Sequence, residues 1–221
     1  MSQRVIVHSS VSLDNAIVGY EIDIGLHYTI LQSFAPDAVL VGSTTAKIGI
    51  EMFLDINQPE HANDRIRPQV NPADPRPIGV FVDSRGGLMN LLHFYRQMEH
   101  IKDVIVLVSD TTPQEYLLYL KERDYPFIRY GMERVDLIAA LSKLEERFFV
   151  RCIVSDSGSE LNDHLINGGI ADEVSLIVSP VIVGSQGKKL FSSVNPATFD
   201  LIGSHEVGGG RLHLRYVLKK R

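Results

Sequence analysis

The chain has 221 residues, 44% of them apolar, and a net charge of −5. That supplies a sizeable core for one large domain or two small ones, and the acidic balance argues against a nucleic-acid-binding surface, which would be basic. One cysteine, Cys152, excludes an internal disulfide, and no apolar stretch approaches the ~20 residues of a membrane span. With no signal-peptide pattern, no membrane partner and a thiol suited to a reducing compartment, a cytoplasmic protein is expected.

Apolar runs of strand length recur along the chain, at 5–7, 38–41, 78–82, 104–108, 127–128, 149–154 and 174–178. Stretches with helical spacing lie between most of them, at 27–34, 88–98, 113–123, 135–147 and 160–167. Pro113 suits a first helical turn, and Leu137, Leu141 and Leu144 make a one-sided apolar stripe. Continuous apolar strands alternating with helices predict a mainly parallel α/β sheet. The end of the chain departs from this rhythm. Leu201-Ile202, Gly208-Gly209-Gly210 and then Leu212, Leu214, Tyr216 and Leu218 predict a final antiparallel hairpin. Arg211, His213, Arg215 and Lys219 alternate with these apolar residues, so one face of the last strand is solvated or lines a polar surface.

Residues 51–77 form an irregular segment holding Pro59, Pro68, Pro72, Pro75 and Pro77. A long loop inside a compact domain is usually functional or mobile. It reads as a surface insertion near the site within a single domain spanning 1–221.

Three strand ends could hold a ligand. The strand ending at Val154 runs into the small-residue turn Ser155-Asp156-Ser157-Gly158-Ser159 and then a helix. The first backbone N–H groups of a helix lack internal partners and attract an anion, and a glycine lets the ligand approach closely. A dinucleotide pyrophosphate suits such a place. Val41-Gly42-Ser43-Thr44-Thr45 is a similar junction, and Val82-Asp83-Ser84-Arg85 ends a third strand. Asp172-Glu173 reads as a structural turn rather than acid–base machinery. The eight histidines have no metal-ligand spacing, and neither Gly-x-Ser-x-Gly nor the Rossmann Gly-x-Gly-x-x-Gly is present.

The order of residues between 151 and 191 resembles the reductase domain of riboflavin-biosynthesis proteins. The chain has Asp156-Ser157-Gly158-Ser159-Glu160-Leu161-Asn162, Gly169-Ile170-Ala171-Asp172-Glu173 and Pro180-Val181-Ile182-Val183-Gly184. That family typically reads acidic-Gly-Gly-x-x-Leu-Asn, Gly-(Leu/Ile)-x-Asp-Glu and Pro-x-(Ile/Leu)-x-Gly in the same order, so Ser157 replaces one glycine. Ser12-Leu13-Asp14-Asn15 matches the family's Ser-x-Asp-Gly, with Asn15 in place of glycine; asparagine tolerates positive φ better than most residues.

The resemblance implies a dihydrofolate-reductase-like fold and an NADPH-dependent reductase acting on a ribosylamino-pyrimidine 5′-phosphate, with hydride transfer to the sugar C1′. It implies cofactor contacts at Val11, Thr45, Ser84, Gly158, Ser159, Glu160 and Leu161. Arg85 would pair with a 2′-phosphate, while Asp14 and Asp156 are the catalytic candidates, holding the substrate and tuning proton delivery. Arg65, Arg67 and Lys47 are candidate cations for the substrate phosphate. A homodimer is expected, with the C-terminal hairpin as its edge. Asn15, Gly49 (where many relatives carry an acidic residue) and Ser157 leave two other readings open. One is a reductase of the same fold acting on a pterin or folate; the other is a non-catalytic nucleotide-binding protein.

Overall fold

The structure is a computed structural model that describes residues 3–71 and 73–219; Pro72, counted above, lies outside them. In chain order its elements are β1 (Arg4–Ser12), α1 (Ile24–Ser33), β2 (Ala38–Gly42), α2 (Ser43–Phe53), β3 (Ile78–Val82), α3 (Leu92–Arg96), β4 (Asp103–Val108) and α4 (Gln114–Glu122). There follow β5 (Phe127–Arg129), α5 (Leu137–Phe148), β6 (Cys152–Ser155), α6 (Ser159–Asn167), β7 (Glu173–Ser179), β8 (Phe199–Glu206) and β9 (Leu212–Leu218). The chain divides into two compact units, Met1–Pro36 with Cys152–Arg221, and Asp37–Arg151.

In the first unit the strand order is β6-β1-β7-β9-β8. β1 pairs in parallel with β6 and β7, whereas β9 runs antiparallel to both β7 and β8. The predicted C-terminal hairpin is therefore present. Two of its polar positions turn inward: His213 is buried, and Arg215 donates to the buried carboxylate of Glu173. Several apolar positions are open instead, with Leu201 and Leu212 exposed. An apolar depression of about 190 Å³ lies there, lined by Val174, Leu176, Phe191, Phe199 and Tyr216. Asp172 and Glu173 are structural, as expected. Asp172 accepts from the Val5 N–H, and Glu173 pairs with Arg4 and Arg215.

In the second unit β2, β3, β4 and β5 are parallel and lie in sequence order. Every residue of β4 is buried, which is why it reads as an unbroken apolar run. α5 buries Leu137, Ala140, Leu141 and Leu144, the predicted stripe; each leucine contributes roughly 1.5–3 kcal/mol. Two elements end earlier or start later than their apolar patterns. α3 covers only part of 88–98 because Asn90 sits at φ 63°, outside the right-handed helical region. β6 begins at Cys152 because Phe149, at φ 59°, is the left-handed cap that ends α5.

Part of the irregular segment is pinned. Glu60 pairs with Arg65 and Arg123, Asp64 accepts from Gln97, and Arg67 grips Asp103 at the start of β4. α4 runs back from the carboxyl end of β4, so Arg123 lies at the amino-terminal edge of these strands. The fixed part of the segment thus stands at the opposite edge of this unit from Thr45, Ser84 and Arg85. Among the described residues no helix is long and apolar enough to cross a membrane.

Candidate functional site

β6 ends at Ser155, level with Val7 of β1. β1 continues to Ser12, so residues 8–12 have no strand beside them on that side within this unit. A crevice at the carboxyl ends of parallel strands is where α/β sheets bind ligands. The turn 156–158 and the start of α6 follow β6 directly. Asn162 shapes this turn from inside: its amide donates to the Ser157 carbonyl at 2.8 Å, and its oxygen accepts from Ser155 Oγ at 2.8 Å. Gly158 is the N-cap of α6 and supplies no side chain to its first turn. Ser159 and Leu161 are buried, while Glu160 turns to solvent, which removes the repulsion that a carboxylate there would exert on an anion.

The Asp14 side chain ties two loops together. Its carboxylate accepts from Ser12 Oγ at 2.7 Å, Val183 N at 3.0 Å, Gly184 N at 2.9 Å and Lys189 Nζ at 2.7 Å. The Lys189 hydrogen bond, followed by those from Val183 and Ser12, holds this carboxyl well below the usual carboxylate range. With four donors and no tendency to take a proton, Asp14 clamps the 12–16 turn to the 183–189 loop. Asn15 does adopt positive φ, 64°, so asparagine serves in the glycine's place.

Asp156 is the carboxylate set in a polar pocket. It stands beside His8, because Val7 is level with Ser155. His27 Nε2 lies 3.1 Å from Asp156 Oδ1, and Ser10 Oγ lies 3.0 Å from His27 Nδ1. The hydroxyl of Tyr28, the next residue of α1, also favours the charged form of Asp156. Burial pushes the Asp156 carboxyl up, but the hydrogen bond and charge of His27, with smaller effects from His8 and Tyr28, outweigh it, and the net shift is down. Burial and the Asp156 charge push the Tyr28 hydroxyl up, so it is a donor.

His8 continues the network. Its Nε2 lies 3.2 Å from the His27 carbonyl and its Nδ1 2.9 Å from Ser175 Oγ, which lies 2.8 Å from His213 Nε2. Burial, then the neighbouring His27, lowers the His8 pKa to about 3, so its ring is neutral. Hydrogen-bond logic assigns the protons. A carbonyl only accepts, so His8 Nε2 carries the hydrogen and Nδ1 accepts from Ser175. The single Ser175 proton is then used, and His213 Nε2 donates to it.

Sequence reasoning missed His8, Ser10, His27, Tyr28, Ser175, Lys189 and His213. The available signal was the polar run His8-Ser9-Ser10 directly after the apolar Val5-Ile6-Val7. Buried polar groups need partners, so such a run in a central strand marks a network.

In the second unit Asp83 is buried and accepts from the N–H groups of Gly87 and Leu88. It forms the loop that carries Ser84 and Arg85. Arg85 is exposed and has no ion-pair partner among the described residues. Thr45 is half-buried in the first turn of α2, whose N-cap, Gly42, supplies no side chain. The candidate phosphate cations are engaged elsewhere: Arg65 with Glu60, Arg67 with Asp103 and Lys47, more loosely, with Glu51. Among the described residues no group of three or more His, Cys, Asp or Glu could hold a metal ion.

The chain is similar to a reductase from Methanothermobacter thermautotrophicus, 2,5-diamino-6-ribosylamino-4(3H)-pyrimidinone 5′-phosphate reductase. The two are 28% identical over 150 residues, 68% of this chain, and the match covers 62% of that relative's length. A pyrimidine reductase-like protein from Corynebacterium diphtheriae superposes with a TM-score of 0.73 at 14% identity, covering 99% of this chain and 93% of the other. Dihydrofolate reductase from Enterococcus faecalis has the same fold, with a TM-score of 0.51 at 9% identity over 98% and 97% of the two chains. The profile of the RibD C-terminal domain matches residues 4–213, and the chain therefore belongs to the RibD C-terminal domain family.

Proposed function

We propose that the protein is an NADPH-dependent reductase of a ribosylamino-pyrimidine 5′-phosphate in riboflavin biosynthesis. The observation that carries this reading is the family match over residues 4–213. The activity of the Methanothermobacter relative supports it. The residues present fit the cofactor. An α6 start whose N-cap, Gly158, carries no side chain, with an outward Glu160, suits a pyrophosphate, and Val11 lies where β1 has no strand beside it on the β6 side within this unit. Gly158, Ser159, Glu160, Leu161 and Val11 are the proposed contacts in the first unit. Arg85, exposed and unpaired among the described residues, suits a phosphate monoester, and Thr45 and Ser84 are proposed on the resemblance. The bound cofactor supplies the hydride that reduces the sugar C1′.

The chain's own residues position and exclude water. Asp14 holds the two loops beside the end of β1. Asp156 offers a carboxylate at the carboxyl end of β6. A homodimer is proposed through the partly open apolar face of β8 and β9, and the proposed location is the cytoplasm.

Following NADPH absorbance with the ribosylamino-pyrimidine 5′-phosphate and, in parallel, with dihydrofolate tests the reading. Oxidation only with the first is expected. NADPH at about 100 times its dissociation constant should stabilise the fold by ~2.7 kcal/mol. No stabilisation by NADPH or NADH, together with no turnover, would overturn the assignment.

A further inference from the structure

We propose that His27 is a positioning residue for the reduction: together with Tyr28 it fixes the Asp156 carboxylate in one orientation as a preset negative charge for the substrate. This rests on the reductase reading. In ring opening the C1′–O4′ bond breaks and its electron pair goes to O4′, which takes a proton from water. The nitrogen lone pair forms a C1′=N bond, and positive charge develops over C1′ and N until hydride adds to C1′ and the C=N pair returns to nitrogen. A carboxylate already fixed in place stabilises that charge without reorganising; a freely rotating, solvated one does so far less.

The geometry restricts what His27 can do. Its side chain is only 9% exposed, against 25% for Asp156, so it reaches a ligand only through its partners. Both ring nitrogens are used: Nε2 donates to Asp156 at 3.1 Å, and Nδ1 lies 3.0 Å from Ser10 Oγ. The charged and titratable groups facing it are His8 from β1, with ring centroids 4.5 Å apart, Tyr28 from its own helix and Asp156 after β6. His213 from β9 lies one step further, through Ser175 and His8. His8 bonds the His27 carbonyl rather than its ring, so among the described residues the side-chain hydrogen bonds from His213 stop at His8. The neutral His8 therefore braces the first turns of α1, and His27 Nε2 is the ring atom that meets Asp156.

Two readouts test this in the full-length protein. The first is the Asp156 carboxyl titration, followed by ¹³C NMR in the wild type, His27→Leu, His27→Gln and Tyr28→Phe, and it requires no turnover. The second is the pH profile of kcat. His27→Leu should move the Asp156 midpoint upward, move the acid limb of kcat with it, and lower kcat by at least about tenfold. His27→Gln, which keeps an N–H donor, should restore most of both. Tyr28→Phe removes one donor from a half-exposed ring and should shift the midpoint upward even if His27→Leu does not fold. An unmoved midpoint in His27→Leu, or in Tyr28→Phe where His27→Leu is unfolded, overturns the proposal, as does a His27→Gln midpoint displaced as far as that of leucine. If the wild type turns over no ribosylamino pyrimidine, the reductase reading fails, while the NMR midpoints still decide whether His27 governs Asp156.

Discussion

Lys189 Nζ lies 2.7 Å from a carboxylate oxygen of Asp14 and 2.7 Å from its main-chain oxygen, so one ammonium group closes the loop around a single residue. The same carboxylate accepts from two successive backbone N–H groups, those of Val183 and Gly184. The folded-state pKa of Asp14 is depressed relative to the ~3.9 of an unfolded aspartate. Its contribution to stability is therefore fully present above that unfolded value and is lost as pH falls through the lower folded one. Asp14→Asn should lower Tm at pH 7, and the gap from wild type should close as pH drops below about 4. Thermal unfolding of both proteins between neutral and acid pH measures this. A gap of constant size across the range would mean that the charge plays no part.

Asn162 braces the 156–158 turn from inside. It is fully buried and joins Ser155 Oγ to the Ser157 carbonyl. Removing it leaves a buried carbonyl without its donor, which costs about 2 kcal/mol. Asn162→Ala should show that loss in urea unfolding and should also weaken NADPH binding, because the 156–158 turn loses its internal brace. Asn162→Asp keeps the size but has no N–H for Ser157, so it should behave like alanine rather than like wild type. Stability lost with NADPH affinity intact would separate the turn from the cofactor.

The legibility of the sequence followed the range of each interaction. The buried strands of the second unit were visible because a strand covered on both faces needs only apolar residues, and 78–82 coincides with β3. Asn15 was readable because positive φ is a local property of a turn. The first strand was read as ending at Val7, but β1 continues through His8, Ser9 and Ser10 to Ser12. Ser10 finds its partner 17 residues away and His8 finds Ser175 167 residues away, so nothing in the local pattern says that these polar side chains are satisfied. The clamp made by Asp14 was hidden for the same reason. Its partners Val183, Gly184 and Lys189 come from the far end of the chain, and only the folded protein brings them together. Asp83, by contrast, completes its hydrogen bonds within five residues, so the strand end at Val82-Asp83-Ser84-Arg85 is a local feature.

Arg85 is the residue proposed to recognise a 2′-phosphate. Its guanidinium is exposed, has no carboxylate partner among the described residues and sits on a loop fixed by Asp83. A charge-assisted hydrogen bond from such a group contributes about 1.5–3 kcal/mol, and 1.4 kcal/mol is tenfold in affinity. Arg85→Gln should therefore weaken NADPH binding by about tenfold or more, while NADH, which lacks the phosphate, binds as it does to wild type. Calorimetric titration of each nucleotide into each protein gives the four dissociation constants. Raising salt should erode the wild-type preference, because an exposed ion pair is screened over roughly 8–10 Å at physiological ionic strength. Equal weakening of both nucleotides would instead assign Arg85 to the shape of the loop, since a residue that recognises the 2′-phosphate cannot affect a ligand without one.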